Sequence, residues 1–396
     1  MSKTASQAPL KLLVAGWRGV HHSFAMVNQN QLLALLRRSD VEVYHHDMPL
    51  LMQHWNSQEH NPGFSDSDYQ QILDLQDIPE GEADCVLRVC APMFPPNRQA
   101  RRTLTFGITE LGFNHRSLHN PQQVLADITS DDNLVVTSTR WSRDRLIDFG
   151  FNEAKVRVVT CGVDLNTFAP LADADIRTQR QSLLIPEDAV VFLNIGVPTW
   201  NKGIDLLIRA FARVHRQHPN TRLILKDARG LYGLPIDSVL QTLQQSHPGL
   251  VNASVLSAIS VIPSNLSQLQ MRLLYAMADW YVSPYRAEGF NLPVLEAQAC
   301  GTPVITSSGG ATDDFCNTPA VLKIASVFKR GQLGQDGESC WVEPDMQALE
   351  SLMLNAAASG PRQSFAADVL RQAAHSNASN YSWDRVADDL MTLIRG

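Results

Sequence analysis

The chain has 396 residues, 44% hydrophobic and 18% charged, an ordinary globular composition with more length than one core comfortably uses, so two domains are expected. Asp plus Glu (40) outnumber Lys plus Arg (33) and no basic run dominates, which argues against a nucleic-acid binder. No apolar run approaches the roughly 18 residues of a membrane span, Met1 to Ala8 is polar, and the six cysteines show no Cys-x-x-Cys spacing, so neither span, secretion signal, zinc site nor disulfide scaffold is expected and the chain reads as cytoplasmic.

In chain order, Leu10 to Ala15 predicts a short buried strand, followed by the glycine turn Gly16-Trp-Arg-Gly19 and a helix from Ser23 to Arg38 with Phe24, Val27, Leu32, Leu35 and Leu36 at helical spacing. Strand, glycine loop and helix open a Rossmann-type unit. Gly16, Arg18 and Gly19 are candidates for lining a ligand cleft. His21 and His22 stand at the helix start, where an imidazole meets a phosphate or acceptor or simply faces water. Val41 to Tyr44 predicts a strand, Leu50 to Pro79 a polar, loop-rich excursion, and Asp84 to Cys90 a strand broken by Pro92 to Pro96. Arg98, Arg101 and Arg102 read as a solvated helix face or a clamp for an anionic acceptor. Leu104 to Glu110 predicts a strand that carries Glu110 to a carboxyl edge, a position suited to an acceptor contact. His115 and His119 are spaced i, i+4 but have no companion ligands, so no metal pair is expected. A strand at Leu134 to Ser138, a helix at Trp141 to Phe149 stopped by Gly150 and a strand at Val156 to Thr160 complete the first half, and a linker is expected over 164–174.

The plan then repeats: strand Val190 to Ile195, loop Gly196 to Gly203, amphipathic helix Ile204 to His215 and strand Leu223 to Lys226. Asn252 to Val255 and Ile259 to Ile262 read as strand pieces, and Leu266 to Ala276 as a helix with Leu269, Leu273 and Leu274 inward. The most informative stretch follows at Ser283 to Thr306. A β-like run ends at Val282, Gly289 turns the chain, Pro293 sits in a helix's first turn, and Gly301 stops that helix before a strand at Val304 to Thr306. Such a unit points backbone N–H groups and a helix N-terminus out of a sheet's carboxyl edge, where anionic ligands bind. Two glutamates, Glu288 and Glu296, flank the turn. A carboxylate accepts hydrogen bonds from vicinal diols, so an anion site beside two carboxylates fits a phosphate joined to diols, as in a nucleotide sugar. Leu295, Ala297 and Ala299 predict a tightly packed helix, where a carboxylate without partners is costly.

Glu-x7-Glu enclosing Gly-Phe-x-Leu-Pro-x-Leu, followed by Cys-Gly-Thr-Pro-Val-Ile, closely resembles the signature of the retaining GT-B glycosyltransferases of family 4. The resemblance runs loosely from about Lys155 to the C-terminus and weakens toward the N-terminus. It implies an α/β fold of two facing Rossmann-like domains with a central cleft: an acceptor domain over 1–168, a nucleotide-sugar donor domain over 169–380 and a closing helix over 381–396 that packs back on the first domain. Asn201-Lys-Gly-Ile-Asp-Leu-Leu is similar to the family's loop opposite the diphosphate, which makes Lys202 the candidate cation for the leaving group, with Glu288 at the donor sugar. Glu296 would hold the ribose hydroxyls, and Gly196 with the Gly289, Phe290, Asn291 and Leu292 turn would receive the donor. Gly16, Arg18, Gly19, His22 and Glu110 are the candidates for the acceptor or phosphate side. Two departures stand out: Val197 replaces an arginine common in the family, and Thr160-Cys161 replaces Pro-Asn before Gly-Val-Asp.

The expected activity is therefore transfer of a hexosyl group from a nucleotide-diphosphate sugar to an acceptor hydroxyl, with retention and with neither metal nor other cofactor. The acceptor is a sugar, a lipid-linked sugar or a protein, and neither nucleic acid nor an integral membrane segment is expected. A nucleotide-sugar 2-epimerase of the same fold and an inactive nucleotide-sugar-binding module are the alternatives.

Overall fold

A computed structural model describes residues 8–52, 54–55, 61–120, 125–333, 338–360 and 365–396. The chain divides into two compact units, residues 1–162 with 383–396, and residues 163–382. The break thus precedes the stretch expected as linker, and the last helix belongs to the first unit.

The first unit is a six-stranded parallel sheet of β1 (Leu10–Gly16), β2 (Val41–Asp47), β3 (Cys85–Val89), β4 (Arg102–Phe106), β5 (Leu134–Thr137) and β6 (Val156–Val158) in the order β2-β1-β3-β4-β5-β6. β1 and β5 read as short, largely apolar runs because a parallel sheet is covered on both faces. Helix α1 (Ser23–Leu36) follows β1, and its buried face includes Ala25, Val27, Leu32 and Leu35. The C-terminal helix α6 (Trp383–Arg395) packs against α1, fastened by Arg37 to Asp384, Arg38 to Asp388 and Arg395 to Asp40. Its last carbonyls accept from Arg101 (2.9 Å, from Ile394) and Arg102 (from Leu393). These two arginines therefore cap the helix, because cations are favoured where helix carbonyls have no partner, while Arg98 is exposed.

The second unit holds β7 (Val190–Ile195), β8 (Thr221–Lys226), β9 (Ile259–Ile262), β10 (Trp280–Ser283), β11 (Val304–Ser307) and β12 (Val321–Ile324), again parallel throughout, in the order β12-β11-β10-β7-β8-β9. Its core packs Phe192, Leu223 and Val282 of the sheet against Leu207, Phe211 and Val214 of helix α2 (Ile204–Gln217). Both sheets wind outward from their first strand, so the order reverses beside β1 in one and between β7 and β10 in the other. In open α/β sheets, ligands bind outside the carboxyl ends at that reversal.

Three sequence expectations need correction. The stretch from Leu50 to Pro79 contains a helix, Asp66–Leu73, started by the Ser65 side chain accepting from the Asp68 amide at 3.1 Å; its one buried residue, Ile72, leaves no periodicity to read. Residues 53 and 56–60 of that stretch lie outside the described residues. Ala253–Ser257 is helical, where a strand piece was expected, because the Asn252 side chain caps the Val255 amide at 3.2 Å. Leu269, expected inward on α3 (Gln268–Met277), is 62% exposed, and Leu274 is the buried residue. The capping box of Ser267 and Gln270 sets that helix's start.

β13 (Ser326–Gln332) and β14 (Glu338–Pro344) form an antiparallel pair. All six cysteines are buried and none is in a disulfide. Among the described residues no helix is long and apolar enough to cross a membrane.

Candidate active site

The carboxyl ends of β7 and β10 bring together two loops that are distant in sequence. Trp200–Lys202 forms a single tight turn before α2, and residues 284–291 run from β10 to helix α4 (Leu292–Ala299). They are stitched edge to edge. The amides of Arg286 (2.7 Å) and Ala287 (3.1 Å) donate to the Asn201 carbonyl, and the Asn201 side chain donates to the Ala287 carbonyl at 3.1 Å.

Gly203 lets the loops come this close. It has φ +69°, and a Cβ there would lie 2.0 Å from the Pro284 carbonyl oxygen. Gly203→Ala is expected to destabilise the protein by roughly 2–4 kcal/mol, combining the left-handed backbone with a collision against backbone. The same change should depress turnover by displacing Lys202. A melting temperature and turnover both within error of wild type would show that the two loops separate at no cost.

Arg286 clamps the same junction from below. Its guanidinium donates to both Asp205 oxygens (2.8 and 3.0 Å), to Glu343 (3.1 and 3.2 Å) and to the Trp200 carbonyl (2.9 Å). It also lies 4.7 Å from the centre of the Trp200 ring. A buried guanidinium is tolerable only with such complete pairing.

Within this frame the Lys202 ammonium donates to the Glu288 carboxylate at 2.8 Å, with side-chain exposures of 19% and 12%. The two candidate catalytic residues thus form one partly buried ion pair at the sheet's reversal point. Gly196, at the end of β7, donates its amide to the Lys226 carbonyl at 3.1 Å, and a Cβ on Gly196 would meet nothing within 4 Å, so there is open space beside it.

Beyond Glu288 the chain enters α4 through Asn291, whose left-handed φ of +81° is one that asparagine tolerates. The Asn291 side chain donates to the Ser283 hydroxyl at 2.9 Å, and the buried Phe290 ring stacks on Phe315 with centroids 4.4 Å apart. Both side chains are spent on holding the turn. What Phe290, Asn291 and Leu292 can offer a ligand is their backbone amides, which donate to no group among the described residues. Amides at a helix start attract negative charge.

Glu296 lies one turn into α4, half-buried, with Oε2 accepting from the Tyr275 hydroxyl at 2.6 Å. Burial pushes its carboxyl up to about 7, against the pull of the Tyr275 hydrogen bond. Oε1 has no hydrogen-bond partner among the described residues.

Sequence reading missed Tyr275, Arg286 and Lys226. Lys226 ends β8 on the same carboxyl edge, buried, with its ammonium donating to the Asp227 carbonyl. Burial pushes its pKa below lysine's ordinary value, partly opposed by the Asp227 charge. A lysine directly after the apolar run Leu223 to Leu225 was the available signal. Asp313, beside Asp314, is paired to Lys323 at 2.7 Å and accepts from the Gly309 amide at 2.7 Å.

The remaining candidates lie in the first unit, at or beyond the carboxyl ends of β1 and β4. Gly16 packs so tightly that a Cβ would sit 2.7 Å from the Asn28 side chain and 2.8 Å from the Val89 carbonyl oxygen. The Gly19 amide donates to Gln29 at 3.2 Å, and Asn28 donates to the Trp17 carbonyl at 3.0 Å, so two buried polar residues of α1 fix this loop. Arg18, a candidate phosphate contact, forms a two-toothed pair with Asp47 (2.8 and 2.5 Å) and donates to the Ile72 carbonyl at 2.8 Å. That pairing gives Arg18 a structural task. His22 caps α1, accepting from the Phe24 amide at 3.2 Å, with its ring edge-on to Trp17. Glu110 lies four residues beyond β4, its carbonyl accepting from the Trp141 indole at 2.7 Å. His115 starts a short turn, and the His119 ring stacks on Phe94, 4.2 Å between centroids. Among the described residues no three His, Cys, Asp or Glu side chains are grouped closely enough to hold a metal ion.

Comparison with known proteins adds the following. The family model described as glycosyl transferases group 1 matches residues 175–317. The D-inositol 3-phosphate glycosyltransferases of Mycobacterium tuberculosis and Mycobacterium bovis are 27% identical over 264 residues, 67% of this chain, and the match spans about half (48%) of their length. Among solved structures, a glycosyltransferase from Rickettsia africae aligns with TM-score 0.68 at 14% identity, over 98% of both chains. Sucrose-phosphate synthase from Thermosynechococcus elongatus aligns with TM-score 0.67 at 17% identity, over 98% of both chains. Anabaena HepE in complex with UDP and glucose aligns with TM-score 0.64 at 14% identity, over 97% of this chain and 98% of that one. The chain therefore has the two-domain α/β fold of the GT-B glycosyltransferases, and Lys202, Glu288 and Glu296 all fall inside the stretch that the family model matches.

Proposed function

We propose that the protein is a glycosyltransferase that takes a sugar from a nucleotide-diphosphate donor and passes it to an acceptor hydroxyl with retention of anomeric configuration, as in family 4. The observation that carries the reading is the Lys202–Glu288 pair held at the reversal of the second sheet, beside the open amides of α4 and the free oxygen of Glu296. The pyrophosphate would lie against Lys202 and the amides of residues 290–292, and the ribose diol would donate to Glu296. The C1–O bond to the diphosphate breaks as the acceptor oxygen bonds to C1, and the acceptor's proton passes to a leaving phosphate oxygen on the same face. Lys202 neutralises charge that grows on the leaving group, which lowers the barrier. Glu288 orients Lys202 and the donor sugar. No covalent glycosyl-enzyme enters this scheme. Lys226, one strand along the same edge, is a second cation in a chain that carries Val197 where many family members have arginine. The buried, unbridged thiols fit a cytoplasmic protein.

The match to HepE makes UDP-sugars the first donors to try, followed by GDP- and ADP-sugars, each with and without acceptor extracts. Transfer product is expected only with acceptor. Conversion of donor sugar without acceptor would mark an epimerase, and tight binding without any turnover an inactive module.

The scheme also predicts retention without a resident metal, because Lys202 and the helix-start amides meet the diphosphate charge that magnesium would otherwise carry. An NMR time course of the product anomer, with and without EDTA, checks both: an inverted product overturns retention, and activity lost on chelation overturns metal independence.

A further inference from the structure

We propose that Tyr275 is a positioning residue of the donor site: its hydroxyl occupies Oε2 of Glu296 and leaves Oε1 as the acceptor for a nucleoside diphosphate's ribose hydroxyls. This rests on the donor site proposed above and assigns a role to a side chain outside its motif. Tyr275 is fully buried, and its hydroxyl reaches Glu296 at 2.6 Å. It is the one hydrogen-bond donor to Glu296 among the described residues. The tyrosine is itself held on three sides. Its ring lies edge-on to Phe168 (6.0 Å between centroids) and tilted against Tyr281 (5.9 Å), and its carbonyl accepts from the Thr302 hydroxyl at 2.7 Å. A buried hydroxyl so constrained fixes the carboxylate's rotation, where an exposed glutamate samples several.

The other ionisable and charged groups on the elements around Glu296 leave the carboxyl to Tyr275. Arg272, on α3, donates to the Ala169 and Pro170 carbonyls (2.8 and 2.9 Å). Tyr281 on β10 donates to the Ile195 carbonyl at 3.3 Å. Cys300 follows α4 and is buried, and Glu288 is committed to Lys202. On helix α5 (Phe365–Ala378), which packs on α4, His375 bonds the Ala299 carbonyl at 2.7 Å and Arg371 pairs with Asp368 at 2.8 Å. The Tyr275 hydrogen bond favours the ionised carboxylate and opposes the rise that burial imposes. Tyr275 therefore fixes the direction of Glu296 and draws its titration down from where burial alone would put it.

The test compares wild type, Tyr275→Phe, Glu296→Gln and the double variant by titration calorimetry with UDP from pH 5.5 to 8.5. Melting temperatures confirm folding. Tyr275→Phe is expected to weaken UDP binding about tenfold near neutral pH and to move the binding midpoint upward, the ligand's own phosphate titration being common to all four proteins. In the Glu296→Gln background the tyrosine change should cost less affinity and move no midpoint, because glutamine keeps an oxygen for the hydroxyl but accepts it less strongly and has no proton to release. Equal affinity and an unmoved midpoint in Tyr275→Phe, or an undiminished effect in the Glu296→Gln background, would overturn the proposal. Failure of wild type to bind UDP, GDP or ADP would instead sink the donor-site reading. In that case the Glu296 carboxyl titration, followed by carbon NMR in the ligand-free protein, still decides whether Tyr275 governs it: an unmoved titration in Tyr275→Phe overturns the proposal.

Discussion

Lys202→Ala is expected to lower turnover of the proposed transfer by on the order of 100-fold or more, with the protein still folded. Two effects add. The leaving diphosphate loses its fixed counter-charge, and Glu288, only 12% exposed, loses the ammonium it faces at 2.8 Å. A carboxylate left without that partner repels the incoming diphosphate, so the variant should perform worse than mere deletion of a cation. Adding Glu288→Gln to Lys202→Ala should then restore part of the loss in donor affinity while leaving the chemical step slow. Folding should survive, since the turn around Lys202 is held by Asn201, Gly203 and Arg286 through bonds that do not involve the lysine side chain. Steady-state kinetics with a saturating donor, beside a melting curve, measure this. Near-normal turnover would take the role from Lys202 and point to Lys226, since Arg18 is already bound to Asp47.

What the sequence disclosed depends on how local the determinant is. β7 and the α4 turn were readable because apolar runs, Gly203, Gly301 and Pro293 act within a few residues. The Glu288 and Glu296 pair was readable because one turn and one helix carry both. Arg286 was not, since its partners Asp205 and Glu343 lie 81 and 57 positions away and only the folded sheet brings them together. Tyr275 falls in the same class: within α3 it reads as one more large core residue, and its hydroxyl acquires a purpose only where α3 meets α4. The Asp66–Leu73 helix was hidden for the opposite reason, having too little core contact to leave an apolar stripe. Arg18 was a reasonable candidate by its place in a glycine loop, yet Asp47 at the end of β2 claims it. Loop position identifies which groups could meet a ligand, and neighbouring strands decide which are still available.

Glu296→Gln is expected to weaken nucleoside diphosphate binding and stabilise the ligand-free fold at the same time. A neutral amide accepts the ribose protons less strongly than a carboxylate, which is worth roughly 1–3 kcal/mol of affinity. The stability change has the other sign. Burial raises the Glu296 carboxyl from its ordinary 4.5 to about 7, so between those values the folded chain holds a proton that the unfolded chain has released. Its contribution to stability therefore falls as pH rises from 4.5 to 7 and levels off above, where the ionised group costs on the order of 3 kcal/mol. Glutamine removes that cost and keeps an oxygen for Tyr275, so the variant should melt higher than wild type at pH 8 and nearly equal to it at pH 5. Diphosphate affinity of the wild type should in turn gain from ionisation of Glu296 between pH 6 and 8, and the variant should lack that part of the pH dependence. Calorimetric melting and UDP titration of both proteins at pH 5 and pH 8 measure the pair of effects. A variant that binds UDP as tightly as wild type would remove Glu296 from the site. A variant that melts lower at pH 8 would show that the buried carboxylate stabilises the fold, leaving no conflict between stability and binding at this position.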